Sequence, residues 1–166
     1  ARKRVFLYFE MESWGNNWTV ALYGHGGRGA PLAATTVRTT SVEAADVVIG
    51  VVGDDPMGMS VMREAWPGAV PGHPTVTDWQ RRRVHLSVVS PEQMPDRWIG
   101  YNVLDVLVWP SPDTTYVADE QIAAVRHFVA AGGTLVVAVT DGWQGVRDSG
   151  LARALPVELV GSTQVE

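Results

Sequence analysis

Hydrophobic residues in the second two thirds of the chain are grouped in short segments separated by amphipathic ones. Four such segments, at residues 47–52, 84–89, 104–108 and 135–139, predict strands. The runs at 104–108 and 135–139 are almost continuous, which is typical of strands that are buried on both faces of a parallel sheet. A fifth run, at residues 157–160, predicts one more strand. The pattern therefore predicts a mostly parallel sheet of about five strands.

One helix is predicted between the third and fourth runs. Its apolar residues recur at helical spacing, acidic residues lie near its start, and basic residues lie nearer its end, as the helix dipole favours. Gly132 and Gly133 then end the helix and return the chain to a strand. Residues 104–142 therefore form a predicted right-handed strand–helix–strand crossover. Shorter helices are predicted at about residues 57–65, 95–99 and 143–154.

The N-terminal part follows a different pattern. Residues 5–9 and 18–23 resemble strands and are separated by turn-forming residues, which favours a hairpin, and residues 37–42 predict another short strand. We therefore expect a β-rich N-terminal extension at residues 1–45. Residues 46–166 are expected to form an α/β domain with three layers and a doubly wound, flavodoxin-like, mostly parallel sheet.

Composition narrows the functional classes. The chain is 46% hydrophobic and 19% charged, as expected of a folded domain, and its net charge of −5 gives no reason to expect nucleic-acid binding. The absence of cysteine excludes disulfides, thiolate metal sites and thiol catalysis within these residues. No apolar run approaches the roughly 20 residues that span a bilayer, so we expect no direct membrane insertion of this fragment.

Residues 105–110 (DVLVWP), the helix that follows, and residues 135–142 (LVVAVTDG) resemble the core of the class I glutamine amidotransferase-like superfamily. In that superfamily a strand ending in Pro-Gly-Gly precedes a helix and a strand that ends in a Cys-x-Gly elbow. Residues 94–101 (MPDRWIGY) and 155–161 (LPVELVG) are similar to such domains in large bacterial membrane-anchored proteins. The resemblance implies a fragment of a parent protein that is extracytoplasmic or membrane-associated.

The catalytic residues of the superfamily have no counterparts in this sequence. The elbow cysteine falls on Thr140, and the turn that helps to form an oxyanion hole falls on residues 110–112, where a second proline removes a backbone N–H donor. No histidine follows His127, which lies in the predicted helix. The resemblance therefore implies a degenerate elbow at Thr140 and Asp141, with no catalytic residues and no cofactor, and Asp141 fits a helix cap.

A second resemblance concerns residues 47–57 (VVIGVVGDDPM), which are similar to the first strand and acidic pair of response-regulator receiver domains. There the acidic pair binds magnesium beside a phosphoacceptor aspartate. The corresponding position here is Trp109 or Pro110, and Lys3 is the only lysine, so a phosphorylatable receiver is not expected. Asp54 and the residues after it also fit the cap and acidic first turn of a helix.

The carboxyl ends of the predicted strands define where a pocket would form, because open α/β sheets bind ligands there. No metal site is predicted, since the histidines lack partners at metal-binding spacing. The seven tryptophans are expected to pack in the core, or to be exposed where a neighbouring domain covers them. The candidate ligand-binding residues are Asp54, Asp55, Ser111, Thr140 and Asp141, with Ser90 at a further strand end.

Two function classes follow from the sequence. The first is a non-enzymatic interaction or structural module of a larger bacterial protein, which would contact other domains of the same polypeptide or a protein partner. The alternative is a domain that binds a small ligand or a divalent cation, similar to a receiver without its phosphoacceptor, or a hydrolase that uses the strand-end carboxylates.

Overall fold

A computed structural model describes seven stretches of the chain. The chain divides into two compact units, residues 9–44 and residues 1–8 together with 45–166. The described stretches are residues 5–8, 17–27, 29–43, 46–56, 58–61, 83–139 and 142–163.

The smaller unit contains an antiparallel hairpin of β1 (Asn17–Leu22) and β2 (Ala33–Arg38). Strand β1 lies within one residue of its prediction, but β2 begins four residues before the predicted 37–42. The loop sets this register, because the Leu32 N–H donates to the Leu22 carbonyl at 2.7 Å and pairing starts at the next residue. Residues 39–42 form no strand.

The larger unit contains a sheet of four parallel strands in the order β4-β3-β5-β6. Val51 of β3 lies opposite both Val88 of β4 and Val108 of β5, so β3 is central in the sheet. The mixed α/β architecture predicted from the hydrophobic runs is confirmed. The strands are β3 (Val47–Val52), β4 (Val84–Val89), β5 (Val106–Pro110) and β6 (Thr134–Ala138).

Two α-helices connect and follow these strands. Helix α1 (Asp119–Ala130) joins β5 to β6 as predicted, and Gly132, with φ of 102°, follows its end in a conformation that favours glycine. Helix α2 (Trp143–Asp148) is followed by a 3₁₀ turn rather than by the single longer helix expected at 143–154. The 3₁₀ turns are Met59–Val61, Pro91–Gln93, Trp98–Tyr101 and Gly150–Ala154.

The two faces of the parallel sheet pack differently. On one face, Leu107 and Trp109 lie in the main core, to which α1, α2 and the turns around them contribute. On the other face, Ile49 and Val51 form a smaller cluster, and Met59 is packed against it. The main core consists of Val52, Met94, Tyr101, Leu107, Trp109, Ile122, Ala124, Val125, Phe128, Val146 and Leu151.

Two predicted strands are wrong. Residues 157–160 form no strand, so the described sheet has four strands and not five. Residues 5–8 also lie outside any strand, although their alternating pattern resembles one. Leu159 packs against the main core although its segment is not a strand, because packing of one apolar side chain does not require backbone pairing.

The helix expected at about residues 57–65 is described only at residues 58–61, where a 3₁₀ turn is found. Its remaining residues lie outside the described part. The short helix expected near 95–99 corresponds to the turn at Trp98–Tyr101. Among the described residues, no helix has the length and hydrophobicity needed to cross a bilayer.

Candidate functional site

The carboxyl ends of β3 and β5 form the first candidate site. The chain leaves β3 to form β4 on one side and later returns to form β5 on the other side. Connections that depart in opposite directions leave a crevice between two adjacent strand ends, and this is where open α/β sheets bind ligands. The predicted Asp54, Asp55 and Ser111 therefore follow the two strands that border this crevice.

Backbone geometry is unusual on the β5 side of the crevice. Ser111 has φ of 54°, the only positive φ among the described residues other than glycine. Its N–H donates to the Ala138 carbonyl of β6 at 2.8 Å, which extends the β5–β6 ladder by one residue. The next residue, Pro112, is buried. A left-handed conformation costs a non-glycine residue about 1 to 2 kcal/mol, so neighbouring contacts hold this turn in place.

The loop after Ser111 has its own hydrogen bonds. The Asp113 carboxylate accepts the Thr115 backbone N–H at 2.9 Å, and this bond, with a further one from the Thr115 hydroxyl, lowers the pKa of Asp113 below its ordinary value. The Thr114 hydroxyl donates to the Gly145 carbonyl in α2 at 3.5 Å. The carboxylate of Asp113 is therefore used to shape a turn of the Asx type.

The structure places four of the predicted site residues shortly after the carboxyl ends of neighbouring strands, and two others lie outside its described part. Asp54 and Asp55 are exposed after β3, Ser111 is exposed after β5, and Ser90 follows β4. Thr140 and Asp141 lie outside the described residues. Within the described ranges, no three histidine or carboxylate side chains come close enough together to hold a metal ion.

A second polar site surrounds Tyr8, at residues that no sequence pattern marks as a site. The Tyr8 hydroxyl donates to Asp96 Oδ1 at 2.6 Å and accepts the backbone N–H groups of Asp96 at 3.0 Å and Arg97 at 3.3 Å. Burial and the hydrogen bond to Asp96 raise the pKa of Tyr8. The partners are 88 residues apart in sequence, so no local pattern could indicate their contact.

Open grooves lie on both sides of this contact. One, of about 500 Å³, is lined by residues 5–8 together with Asp96 and Arg97. The other, of about 390 Å³, extends from Phe6 to the first turn of α1, where Glu120 and Gln121 line it. Tyr8 and Phe6 therefore lie within a longer furrow on the α/β unit.

Gln121 lines the groove at the first turn of α1, and its side chain is buried. Its Oε1 accepts the Ala118 N–H at 2.8 Å, and its Nε2 donates to the carbonyls of Met94 and Glu92. The side chain thus caps α1 and holds the connection between β4 and β5. A polar residue in the first turn of a helix ordinarily faces solvent, so the sequence pattern gave no sign of this role.

Two acidic side chains bind backbone groups at the amino-terminal ends of the parallel strands, opposite the crevice. Asp46 accepts the Arg83 N–H at 2.9 Å and pairs with His85 Nε2 at 2.8 Å, and Asp105 accepts the Val48 N–H at 2.8 Å. These contacts join the amino ends of neighbouring strands. Asp46 and Asp105 therefore stabilise the pairing of the strands, and they lie at the opposite end of the strands from the crevice between β3 and β5.

Three exposed apolar residues lie close together in sequence in the turn at residues 98–103. Trp98 is 46% exposed, Ile99 49% and Val103 60%, whereas Trp109 is 1% exposed and lies in the main core. The turn directly follows Arg97, whose N–H binds Tyr8. Among the described residues, one tryptophan is therefore exposed at the surface and another is packed in the core.

Comparisons with protein-family models, with curated proteins and with solved structures find no match for this chain.

Proposed function

We propose that this chain is a non-enzymatic interaction or structural module of a larger bacterial protein, built on a degenerate amidotransferase-like fold. The observation that carries the proposal is the exposed apolar surface of the turn at residues 98–103. Clustered apolar residues at the surface mark interaction sites, and aromatic residues are enriched in protein interfaces. The module would contact another domain of the same polypeptide or a protein partner.

The turn is held firmly, which distinguishes it from a loosely packed loop. Backbone hydrogen bonds join Gly100 N to Arg97 O at 3.0 Å, Asn102 N to Ile99 O at 3.3 Å and Leu104 N to Tyr101 O at 2.8 Å. The Tyr101 side chain is buried in the main core. The turn therefore presents Trp98 and Ile99 from a fixed backbone, and little conformational entropy would be lost when a partner covers them.

The strand order supports the fold-level part of the proposal. The order β4-β3-β5-β6 corresponds to the first four strands of a flavodoxin-like, doubly wound sheet. At the end of β5, Pro110 and Pro112 flank Ser111, and neither proline has an N–H with which to bind an oxyanion. A strand-end turn of this kind supports a scaffold role rather than acyl transfer.

Matched valine substitutions test whether the turn serves binding rather than folding. Val103 is 60% exposed in the turn, and Val146 is fully buried in α2. We expect Val103→Ser to lower the free energy of unfolding by less than about 1 kcal/mol and Val146→Ser by about 2 to 4 kcal/mol. Urea unfolding measures both. If Val103→Ser is as costly as Val146→Ser, the turn is part of the folding core and the proposal loses its basis.

The alternative function is binding of a small ligand or a divalent cation at the crevice between the carboxyl ends of β3 and β5, where Asp54 and Asp55 follow β3. Calorimetric titration with magnesium tests it directly. Saturable heat that disappears in the variant Asp54→Asn/Asp55→Asn would favour the alternative over the module. The same heat in both proteins, or none in either, would reject a cation site on these carboxylates.

A further inference from the structure

The described N-terminal segment, residues 5–8, contacts the α/β unit through alternate side chains. Phe6 and Tyr8 are half-buried, and their rings stack with centroids 6.4 Å apart, whereas Val5 and Leu7 are exposed. Alternation of this kind is typical of an extended chain that lies along a surface. No backbone hydrogen bond joins residues 5–8 to another described residue. Within the described part of the chain, side chains therefore make the hydrogen bonds of this segment.

The surface that receives the segment is complementary to a neutral phenol. The Asp96 carboxylate accepts a hydrogen bond from the Tyr8 hydroxyl, and the backbone N–H groups of Asp96 and Arg97 donate to the hydroxyl oxygen. A phosphorylated tyrosine or another anion would meet the negative charge of Asp96 at this position. Phenylalanine would leave all three groups without their partner. The contact is thus specific for a hydroxyl that both donates and accepts.

The receiving surface is shaped by contacts within the α/β unit itself. Gln121 holds the carbonyls of Glu92 and Met94, and the Tyr101 hydroxyl donates to the Pro95 carbonyl at 3.1 Å. A Cβ on Gly100 would lie 2.9 Å from the Tyr8 ring and 2.5 Å from Pro95, so glycine is needed for the close approach. None of the bonds that shape the surface involves residues 5–8.

We propose that this surface, the Tyr8 cleft, is a binding site for an extended peptide segment with an aromatic residue two positions before a tyrosine. The cleft is formed by Glu92, Asp96, Arg97, Gly100 and Gln121. Residues 5–8 occupy it in cis and exchange with the same sequence supplied in trans. This inference goes beyond the module function and does not depend on the exposed side chains of Trp98, Ile99 and Val103.

A labelled peptide with the sequence of residues 4–10 (RVFLYFE) tests the proposal by fluorescence anisotropy. In the variant Phe6→Ala/Tyr8→Ala of the 166-residue chain the cleft is vacated, so we expect the peptide to bind at least about tenfold more tightly than to the unmodified chain. A peptide with phenylalanine at the Tyr8 position should bind several-fold more weakly, and a phosphotyrosyl peptide should bind no better than that one. Equal affinity for both proteins, or no binding to a folded double variant, overturns the proposal.

If the double variant fails to fold, a milder variant tests whether the Tyr8 hydroxyl binds in the cleft. Tyr8→Phe removes one oxygen and keeps the ring, and Tyr116→Phe is a matched control at an exposed tyrosine. We expect hydrogen exchange of the Asp96 and Arg97 amides to rise about tenfold in Tyr8→Phe, because these amides lose their acceptor. Exchange of the Gly100 amide should stay constant, since it bonds within the turn. Unchanged exchange at Asp96 and Arg97 would rule out the cleft as the site of attachment.

Discussion

Replacement of Gln121 by leucine is the most informative single perturbation of the α/β unit. The side chain is 5% exposed and links the start of α1 to the connection between β4 and β5 through three hydrogen bonds. Leucine has a similar size but forms none of these bonds. The Met94 carbonyl, on a fully buried residue, is then left without a partner, while the groups of Ala118 and Glu92 can reach water.

The expected loss of unfolding free energy follows from the surroundings of the three groups that lose their hydrogen bonds. An unpartnered buried carbonyl costs about 1 to 3 kcal/mol, and each lost bond with access to water costs about 0.5 to 1 kcal/mol. We therefore expect Gln121→Leu to lower the free energy of unfolding by about 2 to 5 kcal/mol. Urea unfolding monitored by tryptophan fluorescence and circular dichroism measures it. Gln93→Leu, at an exposed glutamine in the same region, is the matched control and should change stability by less than about 0.5 kcal/mol.

Gln121→Glu supplies a pH-dependent check. At neutral pH the carboxylate can still accept the Ala118 N–H, but its second oxygen faces the carbonyls of Met94 and Glu92. Burial beside these carbonyls raises the pKa of the new carboxyl in the folded state, so its penalty should diminish as pH falls below neutral. Equal stability of Gln121→Leu and Gln93→Leu would refute the reasoning, because it would mean that the three bonds contribute nothing net.

Two further predictions concern the same region. Gly100→Ala should cost about 1 to 3 kcal/mol because its Cβ would clash with Pro95 and the Tyr8 ring, whereas Gly145→Ala in α2 meets no atom within 4 Å and should be neutral or stabilising; thermal unfolding compares them. Burial raises the pKa of Tyr101, so its contribution to stability is present below about pH 10 and is lost as pH rises further. Tyr101→Phe should therefore flatten the decline in unfolding free energy above about pH 10, and an unchanged slope there would contradict this.

The hydrophobic pattern predicted the elements whose burial is continuous or periodic. The run at Val47–Val52 became the central strand, and the helical spacing of Ile122, Val125 and Phe128 became the buried face of α1. The apolar run at residues 157–160 predicts a strand but forms none, and Val157 and Val160 are exposed, so a short apolar run does not by itself establish strand pairing. The sequence could therefore predict the class of fold but not the number of strands.

The contacts around Tyr8 could not be predicted for a different reason. Its hydroxyl meets Asp96 across 88 residues, and single-sequence patterns carry no information on contacts at that separation. Gln121 follows the acidic residues Asp119 and Glu120 at the start of α1, a position that predicts exposure, although its amide donates to the Met94 carbonyl. At the predicted site, placing Asp54 and Ser111 at strand ends needed only the strands themselves, whereas the left-handed backbone of Ser111 had no signal in the sequence.

Oxidation of Trp98 by hydroxyl radicals, measured by mass spectrometry, tests the central claim most directly. The measurement compares this chain alone with the complete gene product in its native extract, and Tyr116, which is 63% exposed, serves as an internal reference. Because the core of an interface excludes water, the module function predicts that Trp98 is oxidised at least about fivefold more slowly relative to Tyr116 in the complete product. Equal relative rates in the two samples would show that no partner covers the turn and would contradict the account.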